Sequence, residues 1–359
     1  MNKLRWGILS TAGIARKNWQ SIHSSGAGVV TAVASRDAER SRRFIEECQR
    51  KDPFTPAPAA LGSYEALLES KEVEAVYIPL PTGLRKEWVL RAAAAGKHVL
   101  CEKPCGVSTA DVREMIEACR QHQVQFMDGV MFMHNPRMDR IRRILDDGTE
   151  VGEIKRITSV FSFHMDDAVF EDNVRVNSAL EPAGSLGDLG WYSIRFALCA
   201  MRWRLPREVS GRTLLERGSR RSPARVAIDF SGELIFDEHT SAGIFSSFIA
   251  QHQQWVNIGG SRGFLHLPDF VHPNSDHEPA FQLNQTQVRV KNCQCTGEHD
   301  EDRSPAQAPT MMRNFANQVR SGKLNTEWPE FALKTQQVLD ACLKSARAGG
   351  KSIAVEDPA

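Results

Sequence analysis

A turn near the N-terminus carries the first residues that could do chemistry. Residues 6–15 read WGILSTAGIA, so small side chains occupy Ser10, Ala12 and Ala15. A dinucleotide fingerprint, G-x-G-x-x-G/A, needs small residues where the backbone approaches a pyrophosphate, and the following helix N-terminus offers N–H groups to it. Ser10 and Ala12 replace two glycines of that pattern. The turn therefore fits either a nucleotide-binding loop or a tight strand-to-helix connection without a ligand.

Ser35 and Arg36 follow the next β-branched segment, residues 29–34. In NAD-binding domains an acidic residue in this region binds the ribose hydroxyls. A hydroxyl and a guanidinium suit a 2′-phosphate better, because arginine forms paired, charged hydrogen bonds to phosphate. The pair therefore favours NADP. Asp37 keeps NAD possible as the second choice. Alternatively, Arg36 is a solvated surface arginine that binds no ligand.

Lys103 stands between Glu102 and Pro104, just after the short strand pattern of residues 98–101. If those residues form a parallel strand, Lys103 faces the cofactor crevice, since ligands of open α/β sheets bind at the carboxyl ends of the strands. Pro104 restricts Lys103 to extended backbone geometry. The alternative is an exposed Glu–Lys ion pair that contributes little to the stability of the fold.

Strand and helix patterns alternate in the part of the chain that must position these residues. The strand patterns cover residues 4–9, 29–34, 73–79, 98–101 and 124–127; the helical ones cover 11–23, 37–48, 64–69, 88–95 and 108–119. Such alternation indicates βαβ units and a parallel sheet. We predict an α/β fold that begins with a doubly wound Rossmann domain over residues 1–127.

The pattern of apolar residues changes after residue 128, where strand patterns become more frequent than helical ones. Strand patterns cover residues 154–164, 225–230, 232–236, 241–251 and 254–259, separated by Gly, Asp or Ser, and a helical pattern covers residues 310–348. Consecutive strands with short connections indicate antiparallel pairing. We predict a C-terminal α/β domain over residues 128–359 with a large, predominantly antiparallel sheet, and a last helix that packs back on the first domain.

Composition excludes several classes of protein. The 359 residues have room for about two domains, and 45 Lys and Arg against 44 Asp and Glu give no bulk charge for nucleic-acid binding. No apolar run is long enough to span a membrane. The eight cysteines are spread along the chain, which predicts a reducing, cytoplasmic compartment. Cys293 and Cys295 lack the spacer of common zinc sites, so we expect no metal.

Several segments match one known family in order along nearly the whole chain. They are residues 6–12, 33–37, 77–81, 96–104, 187–192, 264–273, 327–331 and 334–336. In them the chain resembles the Gfo/Idh/MocA (glucose–fructose oxidoreductase / inositol dehydrogenase) family, in its branch of xylose dehydrogenases and dimeric dihydrodiol dehydrogenases. The resemblance implies an NAD(P)-dependent dehydrogenase or reductase for a sugar, polyol or cyclic alcohol and its carbonyl form. It also implies a homodimer or homotetramer.

The resemblance assigns catalytic roles to three residues. Lys103 matches the lysine that polarises or orients the substrate oxygen. Asp188 and Tyr192 match the family's Asp-x-x-x-Tyr/His element, in which the last residue transfers the proton and Asp188 positions the substrate hydroxyl or the base. A tyrosine with a pKa near its usual value of about 10 needs a neighbouring cation to stabilise its phenolate, and Lys103 is the candidate. A buried structural tyrosine is the alternative.

The cofactor contacts are expected at the turn and at the ends of the later strands. They are Ser10, Thr11, Ala12, Gly13, Ile14, Ser35, Arg36, Pro79, Leu80, Thr82, Arg85, Glu102 and Lys103. Thr82 and Arg85 depart from the family's common Asn and His, and Arg85 is expected near the nicotinamide or against an acidic substrate group. Met133 indicates a changed substrate pocket.

Two other functions fit the same resemblance. Some relatives use the bound nucleotide transiently, which would give an epimerase or a glycosidase-like enzyme without net oxidation. Thr82, Arg85 and Met133 would also fit a non-catalytic nucleotide-binding sensor, although the presence of Lys103 and Tyr192 weighs against it.

Overall fold

The chain forms two compact units in a computed structural model that describes residues 2–273, 280–286, 289–294 and 307–356. The first unit comprises Met1–Gly106, Ala110–His134 and Ala306–Ala332; the second comprises Val107–Thr109, Asn135–Pro305 and Leu333–Ala359. Residues 128–134 thus belong to the first unit, beyond the boundary predicted at residue 127. The first unit also takes in a late segment of the chain.

The first unit contains a six-stranded parallel sheet in the order β3-β2-β1-β4-β5-β6. Its strands are β1 (Leu4–Leu9), β2 (Gly28–Ala34), β3 (Ala59–Leu61), β4 (Ala75–Ile78), β5 (His98–Cys101) and β6 (Phe126–Asp128). The intervening helices are α1 (Gly13–Ser25), α2 (Ala38–Gln49), α3 (Tyr64–Glu69), α4 (Thr82–Ala94) and α5 (Thr109–Gln121). This order is that of a Rossmann sheet, and its topological switch point lies between β1 and β4. The predicted fold class is confirmed.

The central strands of this sheet are buried on both faces. Every residue of β4 and all but one of β1 are buried, as expected for parallel strands covered by helices on each side. Trp6 in β1 lies in contact with Phe315, with ring centroids 5.1 Å apart. Phe315 belongs to α9 (Gln307–Arg320), which packs against α1. A helix from late in the chain therefore completes the core of the first unit.

The late helical segment differs from the prediction of one helix over residues 310–348. Helix α9 ends at Arg320, and Gly322 has φ 67° in the turn that follows. Helix α10 (Glu327–Arg347) then begins in the first unit and continues into the second. The turn needs the left-handed conformation that glycine adopts without a steric penalty, which is why the chain breaks there.

The second unit contains a nine-stranded sheet in the order β14-β13-β12-β11-β7-β10-β9-β8-β15. Its strands are β7 (Ile154–Ser162), β8 (Glu208–Arg217), β9 (Val226–Ile235), β10 (Ser241–Ser247), β11 (Gln253–Gly260), β12 (Phe264–Leu267), β13 (Ala280–Thr286), β14 (Arg289–Gln294) and β15 (Ile353–Ala354). All neighbours pair antiparallel except β7 and β10, which are parallel. The predominantly antiparallel sheet is confirmed.

Short helices connect the strands of the second unit. They are α6 (Pro136–Asp147), α7 (Asp167–Phe170), a 3-10 turn (Val174–Val176), a π-helical turn (Leu186–Gly190) and α8 (Trp191–Ala200). Every residue of α8 is buried. Across the described ranges, no helix combines the length and apolarity needed to cross a membrane.

Candidate functional site

Ser10 takes the place of the first glycine of the nucleotide fingerprint and adopts a glycine-like backbone. Its φ is 140°, in a region that L-residues rarely occupy. Its hydroxyl accepts the Ala12 N–H at 3.1 Å. The side chain thus stabilises a turn that glycine would form without one.

The helix that follows the turn starts without a side-chain cap on its first amides. Helix α1 has no side-chain cap at Ala12 and no acidic residue in its first turn. A Cβ placed on Gly13 would have no neighbour within 4 Å among the described residues, and Ile14 is 43% exposed. Residues 10–14 therefore present an open helix N-terminus, to which a phosphate can bind.

The two predicted phosphate ligands at the end of β2 differ in what they can do. Ser35 is buried; its hydroxyl donates to the Asp37 carbonyl at 2.5 Å and accepts from Ser41 at 3.2 Å. This hydroxyl therefore holds the turn that starts α2, and the expectation that Ser35 binds the cofactor stays a prediction. Asp37 caps α2 by accepting the Glu39 N–H at 3.0 Å.

Arg36 is exposed and has no ion pair within the described part of the chain. Its neighbours Arg42 and Arg43, by contrast, both pair with Glu39. Burial raises the pKa of Tyr64, and the Arg36 charge opposes that rise, which places the guanidinium near the Tyr64 hydroxyl. Arg36 is thus a cation beside the turn and available to an anionic ligand.

Arg85 is buried and braces two loops at the carboxyl ends of β4 and β5. Its Nε donates to the Leu80 carbonyl at 2.7 Å, and its Nη1 donates to the Thr82 hydroxyl at 2.9 Å and to the Pro104 carbonyl. These bonds use Nε and Nη1, and the expectation that Arg85 lies near the nicotinamide or against an acidic substrate group stays a prediction. Pro79, Leu80 and Thr82 are likewise buried.

Glu102 is also directed inward. Its Oε1 accepts from the Tyr77 hydroxyl at 2.6 Å and from Asn18 at 3.3 Å, and its Oε2 accepts the Lys103 N–H at 3.2 Å. Burial, and then the Glu102 charge, raise the pKa of Tyr77 well above its usual value, so its hydroxyl stays protonated and keeps donating. The Glu102 carboxylate thus helps to hold the backbone of partly buried Lys103, and the expectation that Glu102 contacts the cofactor stays a prediction.

In the second unit, Asp188 lies on the π-helical turn directly before α8. Gly184 precedes the turn with φ 51°, and a Cβ there would lie 2.1 Å from the Ala227 carbonyl of β9. Only glycine permits this close approach, and it seats the turn against the sheet. The turn contacts β7, β9 and β10, so Asp188 stands on a rigid support. Single π-helical turns occur often at functional sites.

Tyr192 lies four positions after Asp188 and is 6% exposed. Its ring makes an edge contact with Phe161 of β7, with centroids 5.7 Å apart. The hydroxyl thus belongs to a side chain that is held by aromatic packing, as a proton-transfer residue requires.

Arg175 is the residue that sequence reasoning missed. Its Nε donates to Asp188 Oδ2 at 2.7 Å. The Asp188 charge raises the pKa of Arg175, and the charges of Glu181 and Tyr192 act in the same direction. No motif signals it, because Arg175 reaches Asp188 from a separate 3-10 turn.

The described residues contain no group of three or more His, Cys, Asp or Glu side chains arranged to hold a metal ion. The Cys293 side chain and Cys295, which the sequence analysis considered for zinc, lie outside the residues whose placement is described.

Comparisons with known proteins agree with this architecture. Residues 4–130 match the model of the Gfo/Idh/MocA "Oxidoreductase family, NAD-binding Rossmann fold". D-xylose 1-dehydrogenase (NADP(+)) 2 of Haloferax volcanii is 31% identical over 348 residues, which cover 96% of this chain and 98% of that protein. Trans-1,2-dihydrobenzene-1,2-diol dehydrogenase of Mus musculus is 34% identical over 210 residues, 58% of this chain and 59% of that one.

Solved structures extend the likeness to the whole fold. A 3-ketoreductase from Actinomadura kijaniata in complex with NADP and TDP-benzene superposes with a TM-score of 0.82 at 26% identity. The superposition covers 96% of this chain and 98% of the reductase.

Proposed function

The chain belongs to the Gfo/Idh/MocA oxidoreductase family, and on that premise we propose that it transfers a hydride reversibly between NADP(H) and the hydroxyl-bearing or carbonyl carbon of a small sugar, polyol or cyclic alcohol. The family name alone leaves the nucleotide and the substrate open. The residues at the switch point of the first unit and the cluster around Asp188 support the choice.

The single observation that carries the NADP assignment is Arg36. It stands after β2, exposed and without an ion pair in the described chain, beside the open N-terminus of α1. A guanidinium in this position suits a 2′-phosphate, whereas the Asp37 carboxylate that would read a ribose diol caps α2. Residues 10–14 fit the pyrophosphate, because open space faces Gly13 and no side chain covers the first amides. The xylose dehydrogenase relative is named for the same nucleotide.

The proposed mechanism divides the work between the nucleotide and the chain. NADP, when bound, accepts or supplies the hydride. Tyr192 transfers the proton at the substrate oxygen through its hydroxyl, and the Lys103 ammonium orients that oxygen and favours the phenolate form of the tyrosine. Asp188 positions the substrate hydroxyl. These roles follow the matched motif residue by residue.

Arg85 and Glu102 act indirectly in this mechanism. Arg85 ties the Leu80 and Pro104 carbonyls together, and Glu102 holds the Lys103 amide. Through these bonds, both side chains help to hold the backbone on either side of Lys103. A lysine with a fixed backbone loses less entropy when it orients a ligand.

We assign the substrate class by its hydroxyls. The relatives are named for D-xylose and for a dihydrobenzene diol, both small polyhydroxylated rings. Asp188 and Arg175 supply an acceptor and donors next to Tyr192, which suits a substrate with more than one hydroxyl.

We further propose a cytoplasmic homodimer or homotetramer. The cysteines whose side chains the structure describes are buried and form no disulfide bond, as in a reducing compartment. Leu214 and Leu215 of β8 and Phe264 of β12 expose apolar side chains, which an assembly would cover. Sedimentation of the purified protein tests the assembly.

Turnover of a substrate panel tests the function. Aldoses, polyols and cyclic diols, each supplied with NADP+ or NAD+, are followed by the absorbance of the reduced nicotinamide. We expect NADP-dependent oxidation of at least one of them, and a fall of about 10²- to 10⁴-fold in kcat for Tyr192→Phe. A folded protein that binds NADPH but oxidises no member of the panel would count against the proposal and favour a sensor.

A further inference from the structure

Asn18 is a buried amide that no motif of the sequence singles out. It lies on α1, five positions after Gly13, and is 4% exposed. Its Nδ2 donates to the Tyr77 hydroxyl and, at 3.3 Å, to Glu102 Oε1. An amide NH2 group carries two hydrogens, so one is available for each acceptor. The side chain thus joins the helix that follows the nucleotide turn to the residue before Lys103.

The hydrogen bonds around Tyr77 run in one direction. A phenol hydroxyl has a single hydrogen, and Tyr77 gives it to Glu102 Oε1 at 2.6 Å while its oxygen accepts from Asn18. The Arg85 charge opposes the rise in the pKa of Tyr77, but burial and the Glu102 charge outweigh it, so the hydroxyl remains a donor. The Asn18 amide therefore fixes the direction in which the Tyr77 hydrogen points.

The Glu102 carboxylate is enclosed by its neighbours. It is 9% exposed, and a Cβ placed on Gly129, after β6, would lie 3.3 Å from Oε1. The Glu102 N–H donates to the Ile78 carbonyl at 3.2 Å, which continues the pairing of β5 with β4. With its backbone fixed and little free space around it, the carboxylate takes the orientation that its donors impose. Its other oxygen, Oε2, accepts the Lys103 N–H at 3.2 Å.

We propose that Asn18 is a positioning residue for the reaction. Its amide orients the Tyr77 hydroxyl and the Glu102 carboxylate, and that carboxylate holds the Lys103 backbone where the ammonium can meet the substrate oxygen. This role rests on the proposed function and deepens it, because Lys103 is the residue that orients the substrate there. Helix α1 then serves the site twice, at its first residues for the nucleotide and at Asn18 for the lysine.

Three variants of the full chain test this role. Asn18→Leu removes both donors, whereas Asn18→Asp keeps the shape and places a second carboxyl beside Glu102. Ser21→Ala is the matched control: Ser21 lies on the same helix, is also 4% exposed, and donates to the Lys17 carbonyl at 2.9 Å. Thermal unfolding verifies that each variant is folded, and a fluorescence titration measures its NADPH affinity. The panel substrate that is turned over fastest gives kcat from about pH 5 to pH 9, where a pair of carboxyls titrates.

We expect kcat to fall by about 10- to 100-fold in Asn18→Leu at every pH, with little change in NADPH affinity, because a small misplacement of a positioning group is costly. In Asn18→Asp the loss should depend on pH. One of two adjacent carboxyls binds a proton as the pH falls, and the protonated acid donates in place of the amide. The ratio of its kcat to that of the wild type therefore rises toward one at low pH, which a merely structural defect would not produce.

Ser21→Ala should keep the kcat of the wild type. The positioning role is overturned if no folded Asn18 variant is slower than the wild type, or if the loss in Asn18→Asp is the same at every pH. It is also overturned if Ser21→Ala loses as much activity as Asn18→Leu.

Hydrogen–deuterium exchange gives a readout that needs no turnover. Because the Lys103 N–H is bonded to Glu102 Oε2, its exchange rate reports how firmly the carboxylate is held. We expect this amide to exchange about fivefold faster in Asn18→Leu, the factor that corresponds to the loss of one ordinary hydrogen bond, and at an unchanged rate in Ser21→Ala. Equal exchange in Asn18→Leu and the wild type would count against the role.

The two measurements separate this role from the proposed function. Faster exchange at Lys103 in Asn18→Leu, with no turnover by the wild type, would reject the oxidoreductase and keep Asn18 as the residue that holds the Lys103 backbone. Equal turnover by the wild type and both Asn18 variants would reject the positioning role and keep the oxidoreductase.

Discussion

Ser10 and Ser35 illustrate how the same residue type can have opposite consequences at a nucleotide-binding edge. Ser10 adopts a φ of 140° and closes its turn through its own hydroxyl, so the missing glycine does not remove the loop. Ser35 is buried and spends its hydroxyl on the Asp37 carbonyl. The sequence placed both residues at the ends of strands, as the structure has them, but their hydrogen bonds inside the turns follow only from the fold.

Arg36→Ala tests the assigned nucleotide preference. We expect NADPH affinity to fall by about 10- to 100-fold and NADH affinity to change little, because the lost charged hydrogen bonds would go only to the 2′-phosphate. A fluorescence titration with each nucleotide measures both affinities. Arg42→Ala is the matched control, since Arg42 already pairs with Glu39. Equal losses for NADPH and NADH would remove Arg36 from the phosphate site.

The sequence motifs indicated candidate catalytic residues, whose roles stay predictions. They did not indicate the residues from other elements that bond to them. Lys103, Asp188 and Tyr192 come from contiguous patterns that one sequence displays. Arg175 comes to Asp188 from another turn, and Arg85 turns inward to bond carbonyls, which only the folded chain determines. The spacing of residues along the chain indicates which side chains are neighbours on one helix or strand. Contacts with residues of other elements can be identified only from the folded structure.

At the scale of elements, the loop after β5 depends on a buried polar network. Tyr77 and Asn18 donate to Glu102, whose other oxygen holds the Lys103 amide. A buried carboxylate is costly unless several donors satisfy it. Strand β4 and helix α1 therefore supply the donors that satisfy Glu102, and Glu102 in turn holds the backbone of the lysine that follows β5.

Tyr77→Phe removes one of those donors. We expect the free energy of unfolding to fall by about 1–3 kcal/mol, because the Glu102 carboxylate stays buried with fewer hydrogen bonds. Denaturant unfolding measures the loss. On a Glu102→Gln background the same substitution should cost less, since the charge is gone. Costs that simply add in the double variant would show that the two side chains are not coupled.

Other elements show why strand boundaries were partly mispredicted. Ser231 was interpreted as the break between two strands, yet it lies inside β9, opposite Phe245 of β10 and Arg212 of β8. Pairing on both sides continues the strand through Ser231 and Gly232, and a Cβ on Gly232 would lie 3.2 Å from the Phe230 ring. Residues that usually interrupt a strand can lie inside one where the neighbouring strands on both sides supply the hydrogen bonds.

Helix α9 is held against the first unit by an ion pair whose strength depends on pH. Arg320 pairs with Glu74 at 2.9 Å and donates to the Lys3 carbonyl at 2.6 Å. The hydrogen bond from Arg320 lowers the pKa of Glu74 to about 2, although burial opposes the shift. The folded pKa lies below the unfolded one, so this contribution is complete above about pH 4.5 and disappears as the pH falls toward about 2.

Glu74→Gln should therefore lower stability at neutral pH, with a difference from the wild type that shrinks as the pH falls through that range. Thermal unfolding across pH, at low and high salt, measures the effect; salt should weaken it, because both side chains are partly exposed. Glu72→Gln is the control, since Glu72 is 73% exposed in its pair with Arg5. A difference that is independent of pH would indicate a role for Glu74 other than this ion pair.

At the scale of the whole molecule, the sequence predicted both sheets and a late helix packed on the first domain, but not where the chain divides between the two units. The alternating buried strands and helices predicted the parallel sheet, because each unit of that pattern is local. Residues 306–332 join the first unit through contacts such as that of Phe315 with Trp6. Such contacts join residues from opposite ends of the sequence, and periodicity carries no information about them.

The central claim is that the protein moves a hydride between its substrate and NADP. The most direct measurement uses the panel substrate that is turned over fastest, deuterated at its hydroxyl-bearing carbon, and determines by mass spectrometry where the deuterium goes. The account predicts that the label appears in the reduced nucleotide in proportion to the oxidised product. Product formed with the label retained in it, and with no reduced nucleotide accumulating, would contradict net hydride transfer and favour an epimerase or a glycosidase-like reaction.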